Sequence, residues 1–272
     1  MEFNFLFWLF LVGIGVASFQ DLKRREVDNW LTLLLLVSGA GWLVFQAIFE
    51  SSSSFIILGV ASFLIMFVVA NGFYYGRVFA GGDAKLLFAM FALFVAVTFE
   101  IMLINIGLFI LFLLIAGSVY GLVYSLVLFF RNFKDVKKEI VKGFENVYLR
   151  YIIFGGIVLF ALSYVNWLFL LPGIFFLIGP VLYVFAKALE NIVMVKSVAV
   201  KDLREGDWLV DDVKIGRKVL KADWNGLTKQ DLELLVKTKK KIKIKEGIPF
   251  VPAFFIAFIL WWFRDYFIGL VL

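Results

Sequence analysis

Residues 55–75, FIILGVASFLIMFVVANGFYY, decide the fold class, because no charged side chain occurs anywhere in the stretch. A helix needs about 20 predominantly apolar residues to cross the hydrocarbon layer of a bilayer, and this run supplies them. Working outward, comparable runs occupy roughly 4–20, 30–49, 84–99, 105–130, 151–170, 173–190 and 248–263. The sequence therefore predicts an all-α polytopic membrane protein of about eight transmembrane helices, within a range of about six to nine. Composition agrees, since 63% of the 272 residues are hydrophobic and the mean hydropathy is +0.97. A soluble domain of this length could not hide so many uninterrupted apolar faces.

Two absences narrow the chemistry. The chain has no Cys, which excludes disulfides, thiolate metal sites and cysteine nucleophiles. It has no His, which excludes the Ser-His-Asp triad and His-based zinc sites. Proton transfer, if the protein is an enzyme, must come from Asp, Glu, Lys or Tyr, and carboxylates lead.

The formal charge of +6 is distributed in a way that speaks for topology rather than nucleic acid. With the spans above, every Lys and Arg except Arg264 falls on the side reached after the first span. The positive-inside rule makes that side cytoplasmic and puts the N-terminus outside. The excess of bases then meets anionic lipid head groups, and no nucleic-acid partner is expected. The leader Met1–Asn4 is acidic and no small-residue cleavage site precedes the basic cluster at Lys23–Arg25, so the first span is expected to remain as a helix.

Between the spans, Ser51–Ser54 reads as a tight polar turn. Segment 131–150 carries Phe133, Val136, Ile140, Val141 and Phe144 at near-helical spacing among Lys and Glu. It reads as an amphipathic helix at the cytoplasmic interface or, equally, as a solvated helical linker. Residues 191–247 form the one candidate soluble insertion, a small cytoplasmic α+β domain. Strand-like runs fall at 194–200, 208–213 and 241–245, with Gly206 and Gly216 as punctuators, and Thr228 three residues before Asp231 marks a helix start. The expected organisation is a transmembrane catalytic domain over 1–190, the soluble domain over 191–247 and a C-terminal transmembrane segment over 248–272.

A charge at mid-membrane costs about 2.5–3.5 kcal/mol on insertion scales, so carboxylates at the margins of apolar spans need a reason. Asp21 lies where the first span meets the basic cluster, in FQDLKRREVDNW, and Asp83 lies in FAGGDAKLL ahead of the fourth span. The derived topology puts both at the same membrane depth. Two carboxylates held about 3 Å apart share a proton. One can then activate water while the other polarises a scissile carbonyl. A helix-end Asp beside Arg is also commonly a solvated ion pair. Gly81 and Gly82 are costly in a helix, at about 1 kcal/mol each. They permit close approach of another backbone, and packing of small residues against a neighbouring helix also explains them.

In these motifs the chain resembles the archaeal preflagellin and prepilin peptidases of the type IV prepilin peptidase family, which are Gly-x-Gly-Asp intramembrane aspartyl proteases. The first catalytic Asp of that family falls on Asp21, within DLKRREVDNWLT, and the second on Asp83, within AGGDAKLL. The first Gly of the second motif is Ala80 here, and Asp28-Asn29 stands where Pro-Asn is commoner. The late segment KEGIPFVPAF, 245–254, is similar to the stretch that opens the last span of archaeal members. The resemblance implies an endopeptidase that removes the short leader of type IV prepilin-like or preflagellin (archaellin) precursors at the cytoplasmic face, with those precursors and membrane lipids as partners. It implies Asp21 and Asp83 as catalytic, with Ala80, Gly81, Gly82 and Lys85 as motif or support. No cofactor and no metal are expected.

Lys85 reads first as a cytoplasmic anchor and second as a group tuning the pair. Asp28, with Asn29 beside it, is a structural partner for Arg24 or Arg25 or a contact for substrate. Pro249 and Pro252 bracket a helix start and pre-set its backbone. Asn71 and Asn105 are expected to bond between helices. Two other classes compete with the peptidase: an ion- or proton-coupled transporter relaying charge through membrane carboxylates, and a non-enzymatic membrane subunit of a filament assembly machine.

Overall fold

The computed structural model describes residues 5–215, 218–223, 226–236 and 241–266. Helices dominate: α1 Phe5–Arg24, α2 Asn29–Phe49, α3 Ser54–Tyr75, α4 Gly81–Ala89, α5 Phe99–Arg131, α6 Phe133–Gly143, α7 Val147–Leu162, α8 Leu170–Leu189, α9 Lys229–Leu235 and α10 Val251–Trp262. Five short strands accompany them: β1 Val195–Val198, β2 Trp208–Leu209, β3 Val213–Ile215, β4 Lys218–Leu220 and β5 Ile242–Lys245.

Among the described residues, five helices are long and apolar enough to cross a membrane: α1, α2, α3, α5 and the stretch Trp167–Met194 that contains α8. The bent pair α6 and α7, with 79° between its halves, makes a sixth if counted as one span. The other expected spans are shorter helices. The run 84–99 divides into α4, a 3₁₀ turn Met90–Phe94 and an extended exit at Val95. The run 248–263 yields the 12-residue α10. The fold is thus a helical multi-pass membrane protein with a small sheet region.

Packing divides the chain into two units, one of residues 1–122 with 248–272, the other of residues 123–247. In the first unit, Leu86, Leu87, Met90 and Phe94 are buried to the last few per cent together with Phe10, Phe109, Phe254, Phe258 and Trp261. Phe94 lies 5.2 Å from Phe109 and 5.5 Å from Trp261, centre to centre. The apolar stretch 89–94, with Leu86 and Leu87 before it, is therefore an interior element covered by protein. Arg264, the base set apart by the charge pattern, is tied down here. Its Nη2 donates to Asn105 Oδ1 at 2.8 Å, its Nη1 donates to the Trp261 carbonyl, and its guanidinium lies over the Trp261 ring. Asn105 thus bonds between helices as expected, whereas Asn71 turns back on its own helix and donates to the Phe67 carbonyl.

In the second unit α7 and α8 form a hairpin of unusually close backbones. A Cβ on Gly173 would meet the Phe160 backbone nitrogen at 2.7 Å, and one on Gly156 would meet the Leu177 nitrogen at 2.9 Å. The amphipathic expectation for 131–150 resolves into α6, whose Val136 is fully buried and packs with Ile140 against Ala188 and Leu189. Its apolar side is occupied by α8. In the 191–247 segment the runs expected at 194–200 and 241–245 form β1 and β5, the run expected at 208–213 shortens to β2, and the three make an antiparallel sheet ordered β1-β5-β2; the β3–β4 hairpin was not expected. The Thr228 start is present: the Asp231 N–H donates to Thr228 Oγ1, and the Thr228 N–H donates to Asp231 Oδ2 at 2.9 Å. Gly216 lies outside the described residues.

Candidate active site

Asp21 occupies the last turn of α1. That helix stops because Arg25 adopts a left-handed conformation, φ 59°, while its N–H still donates to the Asp21 carbonyl at 2.8 Å. Asp21 is only 6% exposed, which for a carboxylate demands a donor. The donor comes from far along the chain: the Val251 N–H, at the first turn of α10, donates to Asp21 Oδ2 at 2.9 Å. Helix starts carry amides with no intrahelical acceptor, so a buried carboxylate placed there satisfies both groups. One turn earlier Ser18 donates to the Ile14 carbonyl at 2.8 Å and to the Val251 carbonyl at 3.3 Å.

Asp83 lies in the first turn of α4, just after the loop 76–80, in which Arg77 also has a positive φ of 58°. Ala80 caps the helix and its N–H donates back to Asp83 Oδ2 at 3.2 Å, the return half of a capping box. Ala80 has φ −70° and ψ 164°, a conformation open to any L-residue, so alanine in place of the motif's first glycine strains nothing. Gly81 and Gly82 are not tightly packed. A Cβ on Gly81 would lie 3.7 Å from the Tyr74 ring, and one on Gly82 would lie 3.9 Å from the Val27 nitrogen, ordinary contacts both. Burial, followed by the negative charge of Asp21, pushes the Asp83 carboxyl up to about 7, against the lowering effect of the Ala80 N–H. The two carboxylates, 62 positions apart in sequence, act on each other through space.

The supporting residues form two further groups. Lys85 donates to Asn29 Oδ1 at 3.0 Å, fixing the start of α2 to α4. Asp28 Oδ2 accepts from Arg24 Nη2 at 2.7 Å, from Gln20 Nε2 at 3.1 Å and from Trp30 Nε1 at 3.1 Å. The Arg24 hydrogen bond holds the Asp28 carboxyl below the usual range. Gln20 also accepts the Asp28 N–H, so one side chain clasps both ends of that residue. Helices α3 and α4 enclose a cleft of about 420 Å³ lined by Tyr74, Gly81, Ala84, Lys85 and Phe88 among others, residues on either side of Asp83 in sequence included.

Sequence reasoning missed Gln20 and the Val251 amide. Gln20 is a polar residue beside a span-end Asp and carried a faint signal. The amide carried none, although Pro252 in the first turn of α10 marks the start that presents it. Among the described residues no cluster of three or more Asp, Glu, His or Cys forms a metal-ligand set.

Residues 8–126 match the family described as the type IV leader peptidase family. The preflagellin peptidase of Methanococcus voltae is 30% identical over 151 residues, 49% of this chain and 61% of that protein. The preflagellin peptidase of Methanococcus maripaludis (strain C6 / ATCC BAA-1332) is 28% identical over 82 residues, 30% of this chain and 35% of that protein. The chain thus spans between about a third and three fifths of the curated relatives it matches. No solved structure matches the chain. The match over 8–126 contains α1 to α4 with both motifs, and the resemblance to the type IV prepilin and preflagellin peptidases, read from Asp21 and Asp83, is borne out.

Proposed function

We propose that this protein is a membrane aspartyl endopeptidase that removes the leader peptide of preflagellin or prepilin-like precursors, with Asp21 and Asp83 as its catalytic pair. The single observation that carries the reading is the mutual influence of the two carboxylates: the Asp21 charge helps keep Asp83 protonated up to about pH 7. A pair that holds one proton between its members has what peptide hydrolysis needs. The ionised member takes a proton from water, the water oxygen attacks the scissile carbonyl, and the protonated member hydrogen-bonds the carbonyl oxygen as charge develops there. The proton then passes to the leaving amine. The names of the two Methanococcus relatives supply the substrate class, and the family over 8–126 supplies the reaction class.

The charge pattern supports an outside N-terminus and a catalytic pair on the cytoplasmic face, since Lys23, Arg24, Arg25, Arg77 and Lys85 cluster around the two motifs. On this reading 1–190 and 248–272 are the membrane part and 191–247 is a cytoplasmic domain. Up to eight membrane-embedded segments are counted if the short interior helices are included. Asp28, tied to Arg24, Gln20 and Trp30, is read as a structural partner first and, with Asn29 beside it, as a substrate contact second.

Asp21→Asn and Asp83→Asn test the proposal. Asn keeps the shape but cannot exchange the proton, so each variant should lose cleavage of a preflagellin precursor by at least about 10³-fold while remaining inserted and folded. Retained cleavage in either variant rejects the pair.

A further inference from the structure

The start of α10 touches Asp21 directly and Phe79, the residue that leads into the Asp83 turn. On one side is the Val251 amide on Asp21 Oδ2, reinforced by Ser18 on the Val251 carbonyl. On the other side are the rings of Phe250 and Phe254, 5.3 Å and 5.7 Å from Phe79, the residue immediately before the Ala80–Asp83 turn. Phe79 is 5% exposed and Phe254 fully buried, so these are interior contacts. Phe250 is itself wedged against α5, where a Cβ on Gly117 would lie 2.4 Å from its ring. Pro252 fixes its own φ near the helical value in the first turn and has no N–H to compete for the carboxylate. A buried amide, an aromatic contact and a glycine-made seat thus converge on two adjacent residues.

We propose that Phe250 and Val251 are positioning residues for the peptidase, fixing Asp21 through the Val251 amide and the Asp83 turn through Phe79, so that the two carboxylates hold their working separation. This rests on the peptidase reading. It also assigns roles within the pair. Each carboxylate accepts one backbone amide, Asp21 from Val251 at 2.9 Å and Asp83 from Ala80 at 3.2 Å, and the closer donor favours the charged form of Asp21, which is therefore the member that takes the proton from water. Asp83, beside that charge, is the member that carries the proton. Neither Phe250 nor Val251 touches substrate. Their effect passes through the two aspartates, so their loss acts on turnover and leaves substrate affinity intact.

The experiment replaces the Val251 amide by a backbone ester, incorporating the α-hydroxy analogue of valine in the full-length protein, reconstituted in lipid nanodiscs. The side chain and Pro252 remain, and only the N–H is lost. The expected result with a preflagellin precursor is a kcat lowered about tenfold or more with KM unchanged, and the acid limb of the pH profile moved to higher pH. A second variant, Phe250→Leu, should lower kcat in the same way, and pairing it with Phe79→Leu should cost little more than either alone. Infrared difference spectra of the carboxyl stretch, with Asp21→Asn as the subtraction, give a readout that needs no cleavage, and the ester should shift the Asp21 band. An unchanged kcat, pH profile and carboxyl band in the ester protein overturns the proposal, as does an effect confined to KM. Wild-type protein that cleaves nothing, with the carboxyl band still shifted by the ester, would instead sink the peptidase reading while leaving the Asp21–Val251 linkage in place.

Discussion

Two pairs of helix glycines, Gly156 with Gly173 in the second unit and Gly81 with Gly82 in the first, do opposite things. Gly156 and Gly173 bring α7 and α8 together until backbone atoms of the partner helix sit where their Cβ atoms would be, at 2.9 Å and 2.7 Å. Gly81 and Gly82 have no neighbour closer than 3.7 Å to such a position. The first pair makes a helix contact of the small-residue kind that membrane hairpins use. The second pair leaves space around the first turn of α4, next to Asp83. A glycine that packs is part of the fold. A glycine that leaves room is one that another backbone, on the proposed function that of substrate, can approach closely.

The largest expected effect breaks this contrast directly. Gly173→Leu must push α7 and α8 apart and should cost about 1–3 kcal/mol or more of stability, read as a lowered thermal midpoint in detergent. Gly82→Ala should leave the midpoint unchanged or raise it, since alanine is favoured over glycine in a helix by about 1 kcal/mol. The same change should lower precursor cleavage about tenfold by filling space beside Asp83. A loss of stability on Gly82→Ala equal to that of Gly173→Leu would make the motif glycines a packing device and erase the difference.

The next effect sharpens the same region through pH. On the proposed mechanism Asp83 polarises the carbonyl in its protonated form, and burial with the Asp21 charge raises its carboxyl to about 7. Below that pH the proton is present, and as pH rises through it the acid form is lost. Cleavage should therefore decline above about pH 7, by tenfold per pH unit once well past the midpoint, and the limb belongs to the pair as a whole. Profiles from pH 5 to pH 9 on reconstituted protein check this. A flat rate to pH 9 would remove Asp83 as the acid.

The parts legible in the sequence were those set by local pattern. Spans expected at 30–49 and 55–75 appear as Asn29–Phe49 and Ser54–Tyr75, and the Thr228–Asp231 start forms as the spacing implied. Runs 84–99 and 248–263 were less legible because hydropathy reports only that water is excluded. It does not say whether lipid or protein excludes it, and Leu86, Met90, Phe254 and Trp261 are buried by protein. In the site, Asp21 and Asp83 stood out because carboxylates beside apolar runs are costly. The Val251 amide could not stand out, since every residue but proline carries one and its acceptor is 230 positions away.

A smaller effect is expected at Asp28, in the loop that joins α1 to α2. Its contacts with Arg24, Gln20 and Trp30 are solvent-screened, so each contributes little. Asp28→Asn should reduce cleavage by no more than about fivefold. The Arg24 part of that loss should shrink at high salt, where the wild-type ion pair is already screened. A loss as complete as that of Asp21→Asn would move Asp28 from a supporting position into the catalytic set.

The smallest effect is the most specific, because it concerns the one position where this chain departs from the Gly-x-Gly-Asp pattern. If the family's first glycine supplied a left-handed backbone, alanine there would be strained by about 1–2 kcal/mol. Ala80→Gly would then stabilise the protein and speed cleavage. Ala80 instead has φ −70° and contributes only its N–H, which Asp83 accepts at 3.2 Å, and any residue except proline supplies that. Glycine at this position should therefore cost a little, about 0.5–1 kcal/mol, by loosening the unfolded chain and the helix cap. Cleavage should stay within about twofold of the parent, a difference of less than 0.5 kcal/mol. Thermal midpoints and initial rates on the same preparations read both quantities. A rise in both would mean that the turn before Asp83 is held against its preference.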